Sequence, residues 1–210
     1  PYEVLMTHKI SYKELLTLKQ MEEMLEVHYN SGQFTASVYY LESFFERPCE
    51  LYLSLAAWYE KRVGFHNGVN RLKRYEYFLS YFKEEISKEE KEEVIMKELL
   101  LFDLYLRENL KSRPSFANDP QERMGFYKGF YETKELVERY LSEYSSYNYK
   151  QQGRMTHLEG ICRETLEILE KCRKERHYTG RFPAVISPEE LWDKKAAEER
   201  GIYSCLLFYY

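Results

Sequence analysis

Apolar residues recur every three or four positions through the first two-thirds of the chain, an interval that predicts consecutive helices. Ser11 opens the first, with Glu14 three residues on at capping-box spacing. Leu15, Leu18, Met21, Leu25 and Tyr29 follow, and Asn30-Ser31-Gly32 ends it. A second helix is expected over residues 34–46, where Phe34, Val38, Leu41 and Phe45 share a face. Pro48 suits the first turn of a third, which stops near Gly64 before a turn at His66-Asn67-Gly68. A fourth spans about residues 71–86. Ser87 and Glu90 predict a second capping box, and the helix behind them turns apolar on every side, as central helices do. Leu99, Leu100, Phe102, Leu104 and Tyr105 are therefore expected among the most buried residues.

Residues 111–120 break the pattern. A short turn of helix is expected over 122–129 and a longer helix over 132–147. The character then changes. Residues 155–161 suit a short strand and 163–175 a helix, while 181–186 are extended. Ser187-Pro188 starts a helix reaching about Arg200, and Gly201 closes it. Residues 202–210, rich in aromatics, read as a second strand. The expected fold is mainly α: an antiparallel bundle or array of helical hairpins with a small C-terminal β element of two short strands. The expected organisation is a helical domain over residues 1–150 and an α+β appendage over 151–210. No fixed period of repeats is visible.

A chain of 210 residues, 44% hydrophobic, is long enough to bury a core. Its 31 basic and 35 acidic residues leave a formal charge of −4, so nothing draws it to nucleic acid or anionic lipid. Tyrosine supplies 21 residues, whose hydroxyls all need partners if buried. Cys49, Cys162, Cys172 and Cys205 are scattered, without the short spacings of a zinc or iron–sulfur site. They read as reduced thiols of a cytoplasmic protein. The longest apolar stretch, 99–106, is far too short to cross a bilayer. The chain starts on Pro1 without an initiator Met and stops on an apolar run, which reads as a piece of a longer polypeptide.

Candidate chemistry is sparse. His8, His28, His66, His157 and His177 are mutually isolated, and none of the usual nucleotide, hydrolase or zinc motifs occurs. Phe126, Tyr127, Phe130 and Tyr131 around Lys128 have the look of a base-stacking surface, but core packing is the simpler reading. Arg71, Lys73 and Arg74 are either a phosphate-steering cluster or ordinary helix-surface charge. The acidic run 88–93 is either a docking surface or a solvated first turn favoured by the helix dipole. Asn30-Ser31-Gly32 is either a helix C-cap or a loop presented to a neighbouring domain.

One segment goes further. Pro-Tyr-Glu-Val-Leu at residues 1–5 is followed by Leu-x-x-Leu-Lys-x-x-Glu-Glu-Met ending at Met24 and by Tyr29-Asn30-Ser31-Gly32-x-Phe34. These motifs resemble the start of an accessory domain of unknown function that follows the catalytic barrel in cobalamin-binding radical S-adenosylmethionine proteins, often labelled Fe–S oxidoreductases. The clear similarity covers about the first 35 residues; a final Leu-Leu-Phe-Tyr-Tyr strand matches weakly. The resemblance implies a parent with an N-terminal cobalamin-binding domain and a barrel holding a four-iron–four-sulfur cluster on Cys-x-x-x-Cys-x-x-Cys. Neither that motif nor a cobalamin-binding Asp-x-His-x-x-Gly is in this chain, so no catalytic, cofactor-binding or metal-binding residue carries over. What it implies is a place after the barrel, with the radical S-adenosylmethionine barrel of the same polypeptide as partner. Tyr2, Tyr29, Asn30, Ser31 and Phe34 are the candidate interdomain contacts. The rival readings are a helical scaffold docking a protein partner, and a stand-alone enzyme with an unrecognised site.

Overall fold

The computed structural model describes residues 9–65, 68–110, 112–117, 120–176, 178 and 181–210, with the side chains of 120–124 outside that description. Tyr2, His8, His66, Asn67 and His177 lie outside the described residues. Two compact units divide the chain, Pro1–Met96 and Lys97–Tyr210, with the division inside a helix.

In the first unit, α1 (Tyr12–Leu25) starts on the expected capping box. The Ser11 side chain accepts from Glu14 N at 3.3 Å, and the Glu14 carboxylate accepts from Ser11 N at 2.8 Å. A π-helical turn, Glu26–Asn30, continues it. α2 is Thr35–Glu42, shorter than expected, because the chain turns at Ser43 and Phe44. α3 (Pro48–Arg62) carries Pro48 in its first turn, and Gly64 leaves it at φ 79, in the left-handed region open to glycine. α4 (Arg71–Tyr81) is capped by Asn70, which accepts from Lys73 N, and passes into a second π turn, Phe82–Ile86. α5 (Glu90–Tyr105) crosses into the second unit. The Ser87–Glu90 box gives way to a neighbouring arrangement: the Glu92 carboxylate folds back onto Lys88 N at 2.7 Å and Glu89 N at 3.2 Å. The core of this unit holds Met24, Phe34, Leu41, Leu51, Leu55, Tyr75, Phe78 and Phe82.

In the second unit, α6 (Pro120–Glu132) is longer than the expected short turn. The expected helix over 132–147 is broken into α7 (Lys134–Tyr140) and a three-ten turn, Ser142–Tyr144. α8 (Tyr149–Met155) is an addition, opened by a capping box of Asn148 and Gln151. α9 is Arg163–Glu175. The expected helix from Ser187 to Arg200 is interrupted at Leu191 and Trp192: Pro188–Glu190 makes one three-ten turn, and α10 (Lys194–Glu199) restarts on an Asp193 cap.

The β element has three strands, not two: β1 (Thr156–Ile161), β2 (Ala184–Ile186) and β3 (Ser204–Tyr209), ordered β1-β3-β2 and all antiparallel. β3 is central, which is why its residues run apolar without alternation. The sequence pattern predicts only extended chain over residues 181–186, and pairing with β3 makes the three-residue β2 a strand. One face of the sheet carries Leu158, Cys205, Leu207 and Ile186 onto Phe126, Phe130, Leu136 and Leu141. The other carries Phe208 beside Phe102 and Tyr105 of α5. Leu99, Leu100, Phe102, Leu104 and Tyr105 are all buried, as the apolar character of α5 predicts.

The aromatic stretch in α6 is core. Phe126 and Phe130 are buried, and Trp192 donates Nε1–H to the Phe126 carbonyl at 2.6 Å. That indole lies so close to α6 that a Cβ on Gly129 would stand 2.6 Å from Trp192 Nε1. Gly129→Ala is therefore expected to cost about 1–3 kcal/mol, as overpacked cores do. Chemical denaturation with Trp fluorescence checks it.

Candidate functional site

The segment from Tyr29 to Phe34 is a stiff display. In the π turn Ser31 N donates to the Glu26 carbonyl, five residues back, at 3.0 Å. Gly32 then reverses the chain at φ 61. The Ser31 hydroxyl donates to the Val27 carbonyl at 2.6 Å and accepts from Gln33 N at 3.1 Å. The Asn30 amide donates to Glu26 at 2.6 Å, and Tyr75 Oη donates to the Gln33 carbonyl at 3.1 Å. Tyr29 is 45% exposed, Asn30 is exposed and Ser31 half-buried. Phe34 is completely enclosed, its ring 4.4 Å from Tyr75 and 5.4 Å from Phe78, so it anchors the loop instead of offering a surface. π turns recur at functional sites because they swing side chains off the regular helical path.

His28 sits beneath this loop. It is buried, donates Nδ1–H to the Met24 carbonyl at 3.1 Å, and stacks on Phe78 at 5.1 Å. Among the described residues Nε2 has no hydrogen-bond partner. Loss of solvent, opposed by the Met24 carbonyl, pushes its pKa down to about 4, so it is neutral near pH 7. Sequence reading treats it only as one isolated histidine; the aromatic residues around it come from distant helices.

The second unit holds a buried polar cluster that the sequence reading missed. Arg113 grips Glu159 with two hydrogen bonds of 2.9 Å. His157 Nε2 donates to the same carboxylate at 3.0 Å, its ring stacked 3.6 Å from that of Tyr105. Nearby in sequence, Glu98 accepts from Cys162 N at 3.0 Å, and Tyr127 Oη accepts from Gly160 N at 2.8 Å. Tyr127 thus occupies an amide hydrogen of β1 that would otherwise be free to pair with another strand, and Glu98 takes the amide hydrogen at the start of α9. The one available signal was Glu159, a charge within a strand, which needs a partner if buried. Tyr127→Phe leaves Gly160 N–H without that acceptor and is expected to cost about 1–3 kcal/mol. Faster amide exchange at Gly160 together with a lowered unfolding midpoint is the check.

Catalytic residue types are thus present, but engaged in holding the fold. Burial first, then Glu98, pushes the Cys162 thiol up to about 11, and burial raises Cys172 to about 11 while Tyr178 Oη donates to its sulfur at 2.8 Å. Thiols displaced upward are weak nucleophiles. Burial also raises the Glu98 carboxyl above the ordinary range. Among the described residues no group of three His, Cys, Asp or Glu side chains is placed to hold a metal ion, and the four cysteines are all free. No helix among the described residues is long and apolar enough to cross a membrane.

A family model described as "Protein of unknown function (DUF4080)" matches residues 1–179. Neither a curated protein nor a solved structure matches the chain.

Proposed function

We propose, for this chain, which belongs to the DUF4080 family of proteins of unknown function, a non-catalytic accessory role beside the barrel of a cobalamin-dependent radical S-adenosylmethionine enzyme. It shapes or caps the substrate site of that barrel, which lies in the same polypeptide. The parent's cofactors would be S-adenosylmethionine, a four-iron–four-sulfur cluster and cobalamin, and together they supply radical initiation. This chain's part is to orient and to exclude water.

One observation carries the reading. The segment with the resemblance, about the first 35 residues, is also where the first unit leaves most of its exposed large apolar side chains, all of these within α1 and the turn behind it. Tyr12 is 57% exposed, Leu16 42%, Leu18 45% and Tyr29 45%, four of the six large hydrophobics exposed among that unit's described residues. A helix that leaves such residues in water near its start is suited to an apolar neighbour. Their position in the opening helix favours a neighbour that precedes this chain over a partner docked on a distant face.

The coding sequence upstream of Pro1 and a reconstitution together test the proposal. A three-cysteine cluster motif is expected upstream, and the isolated chain is expected to acquire no iron–sulfur absorbance when incubated anaerobically with iron and sulfide. A gene lacking the motif, or a chain that builds a cluster alone, overturns the proposal.

A further inference from the structure

A cleft of about 370 Å³ opens in the second unit between the start of α9 and the segment from Pro188 to Tyr203. Its apolar lining includes Leu191, which is buried, and Ile202. Arg163, the first residue of α9, lies with its guanidinium 4.6 Å from the centre of the Tyr203 ring. That ring contact fixes the guanidinium without satisfying its N–H donors. Arg163 has no carboxylate or carbonyl partner among the described residues. The positive end of the α9 dipole lies at the same residue.

The other charges sort themselves. Glu189 is held below the ordinary carboxylate range by its own backbone N–H and by Ser187, with a smaller contribution from Lys194. Lys194 and Glu189 therefore offset each other at one part of the lining. Glu198 also lines the cleft, and among the described residues no side-chain partner holds it. One guanidinium and one carboxylate remain uncommitted, over an apolar floor.

We propose that this cleft binds a small zwitterion with an apolar or aromatic body, the chemistry of a free apolar amino acid. The ligand carboxylate pairs with Arg163, its ammonium with Glu198, and its side chain covers Leu191 and Ile202. A simple anion meets two glutamates and a simple cation meets Arg163 and Lys194, so a ligand with both charges fits the lining best. The volume lies at the small end of ligand sites, which suits one such molecule. This inference is independent of the accessory role proposed above.

Amide chemical shifts of the whole chain, titrated with L-phenylalanine, test it. Saturable shifts are expected around Arg163, Leu191 and Tyr203. N-acetyl-L-phenylalanine, which lacks the ammonium, and L-phenylalaninamide, which lacks the carboxylate, are each expected to bind about tenfold more weakly. Arg163→Gln is expected to weaken phenylalanine and leave the amide unaffected, and Glu198→Gln to weaken phenylalanine and leave the N-acetyl form unaffected. No saturable shift at millimolar phenylalanine, or equal binding of all three probes, overturns the proposal. The probe series on the unaltered chain decides it even where a variant fails to fold.

Discussion

Arg113→Met is expected to destabilise the second unit by about 3–5 kcal/mol, the cost of leaving one partner of a buried pair without the other. The Glu159 side chain is 3% exposed and that of Arg113 16%, so little water reaches the carboxylate once the guanidinium is gone. His157 supplies one hydrogen bond to the same carboxylate, against the two parallel bonds that Arg113 supplies. The double variant Arg113→Met with Glu159→Met removes the stranded charge as well, and is expected to recover most of the loss. Urea denaturation of the three proteins separates the effects. A small loss in the single variant would mean that the remaining donors satisfy Glu159.

The first unit is expected to lose about 3 kcal/mol of stability to His28 as the pH falls from 6.5 to 4. The sign follows from where the proton goes. The folded imidazole resists protonation until about pH 4, whereas the unfolded one accepts a proton near 6.5, so acid favours the unfolded chain throughout that window. Stability from this group is complete above 6.5, and the slope ends below about 4, where both states are protonated. Rings of Phe34, Phe78 and Tyr59 surround the imidazole, the Met24 carbonyl takes Nδ1–H, and the charge of Arg74 also lowers its pKa. Carboxylates titrate in the same range, so the check is a difference: His28→Leu should flatten the profile between pH 6.5 and 4 relative to the natural chain. Identical slopes would show that His28 is solvated.

Local signals carried most of the architecture. Ser11 with Glu14, Pro48 in a first turn, the helix start at Arg71 and the all-round apolar α5 each reappear where the pattern places them. What escaped depended on distant chain. β2 is three residues long and is a strand only because β3 pairs with it. The break at Leu191 and Trp192 forms because Trp192 reaches α6 and bonds Phe126, a preference stronger than the helical pattern around it. The capping box of Asn148 and Gln151 was a local signal that was missed, masked by the apolar Met155 and the strand beyond.

The candidate site divides the same way. Of the motif read as a contact surface, Tyr29 and Asn30 are exposed, Ser31 is half-buried, and Phe34 is turned into the core by Gly32 and Tyr75. Arg113 and Glu159 are 46 residues apart, and Arg163 and Glu198 meet at one cleft from two separate helices. No periodicity within a single element encodes such meetings.

The central claim is that this chain serves a reactive centre held elsewhere in its polypeptide, with the opening helix and the Tyr29–Ser31 loop as its contact. Hydrogen exchange, compared between the isolated chain and the full polypeptide, tests it most directly. The account expects slowed exchange in the full polypeptide at α1 and at residues 29–31. Unchanged exchange there, with new protection confined to other surfaces, would contradict it.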